Sequence, residues 1–272
     1  MRESRIRKTW STLLLLLLAL LAWHFARPAL LLGDPPDTLS YALLMIAQEA
    51  VLFGVPALFL RPWRLRDTDD PARGWRGCLT ALLAGIVLAL LLNPVSAGWS
   101  SLLYLAPQEA PMPATAWEWL VMALATVVVP ALAEEAFFRG GVLCGLARGM
   151  SARAAFAATA VIFTLMHGRM AALPAHLACG ALFTLGMLRY GRLWPPIIMH
   201  AGYNAATLAL VGLGVTLPWL TLAATVPVMA IIVAAMARQT VWHGHAPLPM
   251  ADRVWGAAAM AALVGYFLVR LR

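Results

Sequence analysis

Residues 117–140 read WEWLVMALATVVVPALAEEAFFRG. The run is apolar from Trp119 to Ala133, and then presents two adjacent carboxylates, Glu134 and Glu135, and an arginine, Arg139. One helix needs about 20 apolar residues to cross a bilayer. A charge inside such a stretch costs roughly 2.5–3.5 kcal/mol on insertion scales, so its default meaning is function. The segment therefore predicts a membrane helix with a polar site inside it.

Working outward, apolar windows recur at 11–32, 40–60, 78–97, 117–138, 153–168, 173–188, 193–212, 216–236 and 253–270. The expected fold class is all-α, a polytopic transmembrane helix bundle of eight or nine spans. The count turns on whether the short windows 153–168 and 173–188 are two short helices or one tilted pair. The organisation expected is a single membrane domain, 1–272, with N-terminal spans in 11–97, a catalytic core over about 117–212 and C-terminal spans in 216–270. No internal repeat or low-complexity tail interrupts it.

Composition excludes the soluble classes. The 272 residues are 62% hydrophobic and only 12% charged, about half the usual soluble share, so the bilayer must act as solvent for most of the chain. The formal charge of +8 would suggest nucleic acid in a soluble protein. Here the positive residues sit in short connections between apolar runs, so topology accounts for them, and membrane lipids rather than nucleic acid are the expected surroundings.

Placing the N-terminus in the cytoplasm and alternating sides gathers sixteen of the twenty basic residues on the cytoplasmic face, Arg139 among them. Only Arg27, Arg169, Arg270 and Arg272 fall outside. All but one of the basic residues are Arg, and with the abundance of Ala and Leu this resembles a GC-rich bacterial coding bias. The expected location is a bacterial inner (plasma) membrane. The basic start, Met1 to Lys8, and the apolar run after it resemble a signal peptide. The run continues to Leu32 with no small-x-small cleavage site, which predicts a retained first span. Cys78, Cys144 and Cys179 are odd in number and widely spaced, so they predict neither a disulfide framework nor a structural zinc site. Trp10, Trp23, Trp63, Trp117, Trp119, Trp194 and Trp255 fall near predicted interfaces, as an aromatic belt would.

Most ionisable residues lie in connections. The acids left within apolar runs are Glu49, Glu134 and Glu135, and His167 and His200 lie in or at the ends of spans. His176 and His24 fall nearer the interfaces. Glu135 and Arg139 stand i,i+4 with the acid first, the favourable order for a helical ion pair. Glu134 is rotated about 100° from Glu135 and is left with no local cation, so it is available as a general base. Taking Arg148 and Arg153 as interface markers, Glu134 and His167 each lie roughly 21 Å from that surface, at about 1.5 Å per residue. From Arg192, His200 is about 12 Å deep and Asn204 about 18 Å. His200 and Asn204 share a helix face, and both side chains can donate to a developing oxyanion. Singly, each is as well read as interhelical polar glue. Glu49 pairs with Arg139, lines a water path or serves helix packing.

Three motifs in order carry a resemblance: Glu134-Glu135-x-x-x-Arg139, Phe163-x-x-x-His167 and His200-x-x-x-Asn204. Together they resemble the CPBP family of CAAX proteases and bacteriocin-processing enzymes, which includes the Ras-converting CAAX endopeptidase. The resemblance implies an intramembrane endopeptidase acting on a membrane-associated or lipidated protein or peptide. It implies that Glu134 activates water, that His167 holds it, and that His200 and Asn204 form the oxyanion hole. Glu135, Arg139 and Phe163 would be supporting residues. It leaves two mechanisms open, a metal-free glutamate protease and a zinc protease with Glu134, His167 and His200 as ligands. Without an H-E-x-x-H helix the metal-free form is favoured, with no cofactor. The rival readings are a non-catalytic membrane protein such as a bacteriocin-immunity factor and an ion-coupled transporter. For the transporter, no inverted repeat is visible.

Overall fold

The structure is a computed structural model that describes residues 2–31, 37–60, 75–105, 111–238 and 250–270. Much of the connections 62–77 and 237–252, read above as cytoplasmic, lies outside the described residues, and so does Trp63. Nine helices are described and no strand: α1 (Arg2–Leu31), α2 (Thr38–Leu60), α3 (Trp75–Leu102), α4 (Ala116–Leu146), α5 (Ala152–Met166), α6 (Leu173–Tyr190), α7 (Trp194–Gly212), α8 (Leu222–Arg238) and α9 (Met250–Arg270). Each apolar window is one helix. By length and composition six of them can cross a membrane, those in α1, α2, α3, α4, α8 and α9. The fold is the expected all-α bundle of an integral membrane protein.

The starts are set by local chemistry. Thr115 and Glu118 form a capping box at the head of α4, and the Ser151 hydroxyl accepts from the Ala154 N–H at 3.2 Å at the head of α5. Asp37 caps α2 by accepting from the Ser40 N–H at 2.7 Å, and that bond holds its carboxyl below its ordinary value. Gly168, at φ 60°, takes the left-handed conformation that ends α5 directly after His167.

Helices in lipid have no hydrophobic drive to associate, so close backbone approach matters. α7 lies on α3 through two glycines. A Cβ on Gly202 would sit 2.9 Å from the Leu82 carbonyl oxygen, and one on Gly85 would strike the Met199 carbonyl. α1 packs against α9, where Trp10 meets Gly256. Trp10 is thus buried core, at 3% exposure, and does not belong to the belt.

The largest departure from expectation is the end of α4. The window stopped at residue 138, but the helix runs on to Leu146, and Phe137 to Leu146 are all buried. Arg139, counted above among cytoplasmic charges, is 0% exposed. The positive-inside bias then rests on the other fifteen. A π-type turn over Ala136–Leu143 interrupts the helix directly after the two glutamates. Such turns shift the helical phase and occur often at functional sites. All three cysteines are free.

Candidate active site

Arg139 is held from three sides. Its Nη1 donates to Glu135 Oε1 at 2.7 Å, and its Nη2 donates to the Gly180 carbonyl at 3.2 Å across the bundle on α6. The guanidinium carbon lies 4.4 Å from the centre of the Phe163 ring and 5.4 Å from that of Phe183. A cation over aromatic faces is favourable, more so when desolvated. Phe163 therefore joins the cluster from α5, with Phe138 edge-on to it at 5.0 Å.

Glu135 also takes His200. The His200 Nδ1 lies 2.9 Å from Glu135 Oε1, and its ring stacks on Phe183 at 4.9 Å. A carboxylate paired with arginine only accepts, so the proton belongs on Nδ1. Neutral His200 then offers Nε2 as an acceptor. It donates to an oxyanion only when both nitrogens carry protons.

Glu134 faces a different set. His167 Nε2 is 3.5 Å from Glu134 Oε2, longer than a direct hydrogen bond between them prefers. The His167 Nδ1 is 2.7 Å from the Phe163 carbonyl, which can only accept, so Nδ1 carries the proton and the Nε2 lone pair points at Glu134. Glu134 Oε2 is buried and receives no hydrogen bond. Two acceptors therefore converge on one small space inside the bundle.

Asn204 stands one turn beyond His200 and lines a cavity of about 230 Å³. Its walls come from α2 (Tyr41), α4 (Met122, Thr126) and α7 (Thr207, Leu208), with Met112 from the preceding connection. α7 thus carries both motif residues, His200 bonded to Glu135 and Asn204 on the cavity wall.

Two residues near Glu134 were not assigned to it from sequence. Glu49, on α2, is buried close to Glu134, while Arg139 is held by Glu135 and Gly180. His176, read as interfacial, lays its ring against His167 with centroids 4.0 Å apart. No spacing rule links either to its partner, because each contact joins different helices. The only signal for Glu49 was a carboxylate within an apolar run.

Zinc would need Glu134, His167 and His200 to converge. His200 is turned onto Glu135, and among the described residues no three His, Cys, Asp or Glu side chains stand close enough together to hold a metal ion. The donor set as folded does not fit a zinc centre.

Residues 116–206 match the family model described as Type II CAAX prenyl endopeptidase Rce1-like. All seven motif residues lie within that segment. The chain thus resembles the CAAX-protease family over the helices that build the site. No curated protein and no solved structure gives a significant match.

Proposed function

From that match we propose that the chain is an intramembrane endopeptidase of CAAX-protease type, cleaving a membrane-associated protein or peptide with Glu134 as the base. The observation that carries the reading is the division of labour between adjacent carboxylates. Glu135 Oε1 is bonded to both Arg139 and His200, whereas Glu134 Oε2, unpartnered like Glu135 Oε2, faces the His167 Nε2 at 3.5 Å.

In this reading a water occupies the space between Glu134 Oε2 and His167 Nε2. Glu134 takes one proton from it as its oxygen bonds to the peptide carbonyl carbon. The oxyanion formed is met by the Asn204 amide and by the His200 ring, which Glu135 orients. The C–N bond then breaks, and the proton on Glu134 passes to the leaving nitrogen, giving a carboxylic acid and an amine and restoring the Glu134 carboxylate. Glu135, Arg139 and Phe163 hold the site. The Asn204 cavity takes part of the substrate. The proposed setting is a bacterial plasma membrane, with the N-terminus in the cytoplasm.

The test compares the membrane proteome of a wild-type strain with one carrying Glu134→Gln. Cleavage products should disappear by at least about 10²-fold, the scale of a lost general base. Equal product levels at equal expression would sink the reading. Chelation separates the two mechanisms: cleavage should persist after metal is stripped from the purified protein. Loss on chelation, restored by zinc, would overturn the metal-free form.

A further inference from the structure

Glu49 lies outside the segment that matches the family model, and the mechanism above does not use it. It is buried, at 5% exposure, on a helix otherwise apolar on that face. It sits at the head of a second π-type turn, Ala50–Gly54, which packs against both the Val129–Glu135 and the Ala136–Leu143 stretches of α4. Glu49 Oε2 and Glu134 Oε2 are both buried without a hydrogen-bond partner, and the two carboxyl groups lie close enough to act on each other.

Two carboxylates cannot hydrogen-bond to each other. Contact between buried carboxyls requires one shared proton, because two charges at that separation repel strongly in a low dielectric. If Glu134 is the base it must be the ionised member. Resting on that reading, we propose that Glu49 is a positioning residue whose protonated carboxyl donates a hydrogen bond to the Glu134 carboxylate and fixes its orientation toward His167. Glu49 keeps its proton throughout. The water proton goes to Glu134 and on to the leaving nitrogen, so the balance of the reaction is unchanged. The pairing also explains a carboxyl on α2: a neutral acid costs less in a membrane than a charge, and it finds its acceptor on α4.

The test uses the full chain in lipid nanodiscs and reads infrared absorption at neutral pH, which needs no substrate. The wild-type minus Glu49→Gln difference should contain a lost carboxylic-acid C=O band and no lost carboxylate band. A lost carboxylate band would overturn the proposal, since it would put the charge on Glu49. The second readout is accumulation of Glu134-dependent cleavage products, with thermal melting as the folding control. Glu49→Leu removes the donor and should lower cleavage by about 10²-fold, as misplacement of a reacting group does. Glu49→Gln keeps an N–H donor and should restore most of it. Equal cleavage by Glu49→Leu and wild type would also overturn the proposal. Should Glu134→Gln leave cleavage intact, the protease reading fails, while the infrared difference still decides which carboxyl holds the proton.

Discussion

α4 and α8 look alike as sequences and occupy opposite environments. Both are long and apolar, with mean hydropathy of 1.8 and 2.3, yet 56% of the α4 span is buried and only 11% of the α8 span. In a soluble protein the more apolar helix would be the inner one. In a bilayer the rule inverts, because lipid is as apolar as leucine and gives apolar side chains no reason to turn inward. Polar residues sort the helices instead. α4 carries Glu134, Glu135 and Arg139 and buries the stretch from Phe137 to Leu146 completely, whereas α8 carries no acidic residue and its only charge is Arg238 in its last turn.

If that is the difference, removing a polar group from α4 should have the largest effects in the molecule. Glu134→Gln is the extreme case for activity, as set out above. For stability it is Arg139→Met. The change strands the buried Glu135 carboxylate with His200 alone, and leaving one buried charge unpaired costs about 3–5 kcal/mol. Thermal melting of the detergent-solubilised protein should show a large drop. The double variant Glu135→Leu/Arg139→Met should recover much of it, since replacing both partners of a buried pair is often near neutral. A double variant as unstable as the single one would mean the arginine acts through its rings and Gly180, not its charge.

The same contrast explains what the sequence could disclose. Nine apolar windows became nine helices because backbone groups in lipid must bond internally, which makes a long apolar run a helix with little ambiguity. The i,i+4 pair of Glu135 and Arg139 was legible for the same reason: it lies within one helix. The end of α4 was misjudged because an arginine after an apolar run reads as an interface marker, and nothing local reveals that Gly180, Phe163 and Phe183 enclose it. Trp10 failed alike, since Gly256 lies far along the chain. Contacts between helices have no sequence period, so Glu49 against Glu134 and His176 against His167 needed the fold.

A smaller effect tests whether close backbone approach holds α7 on α3. Gly202→Ala puts a Cβ 2.9 Å from the Leu82 carbonyl, a backbone atom that moves only if α3 moves. Overpacking of that kind costs about 1–3 kcal/mol. Gly265→Ala on α9 is the control, with nothing within 4 Å of its added Cβ, and helix propensity alone favours it by roughly 0.5–1 kcal/mol. Opposite shifts in melting temperature are expected. A loss in both would show that the α3–α7 crossing is not the cause.

The smallest effect belongs to α8. Ile231 is 69% exposed, and Phe138 is 0% exposed among Phe53, Phe137 and Phe163. Truncating Phe138 to Ala should cost about 3–5 kcal/mol, because packed aromatic contacts are lost and a cavity remains. Ile231→Ala exchanges one lipid-facing surface for a smaller one and should stay within about 0.5 kcal/mol of wild type. Hydropathy alone predicts no such asymmetry, since both residues are strongly apolar. A destabilisation by Ile231→Ala approaching that of Phe138→Ala would mean that α8 packs against protein, such as a second copy of the chain, and the inversion would then describe the isolated chain only. Melting of both variants in the same detergent decides it.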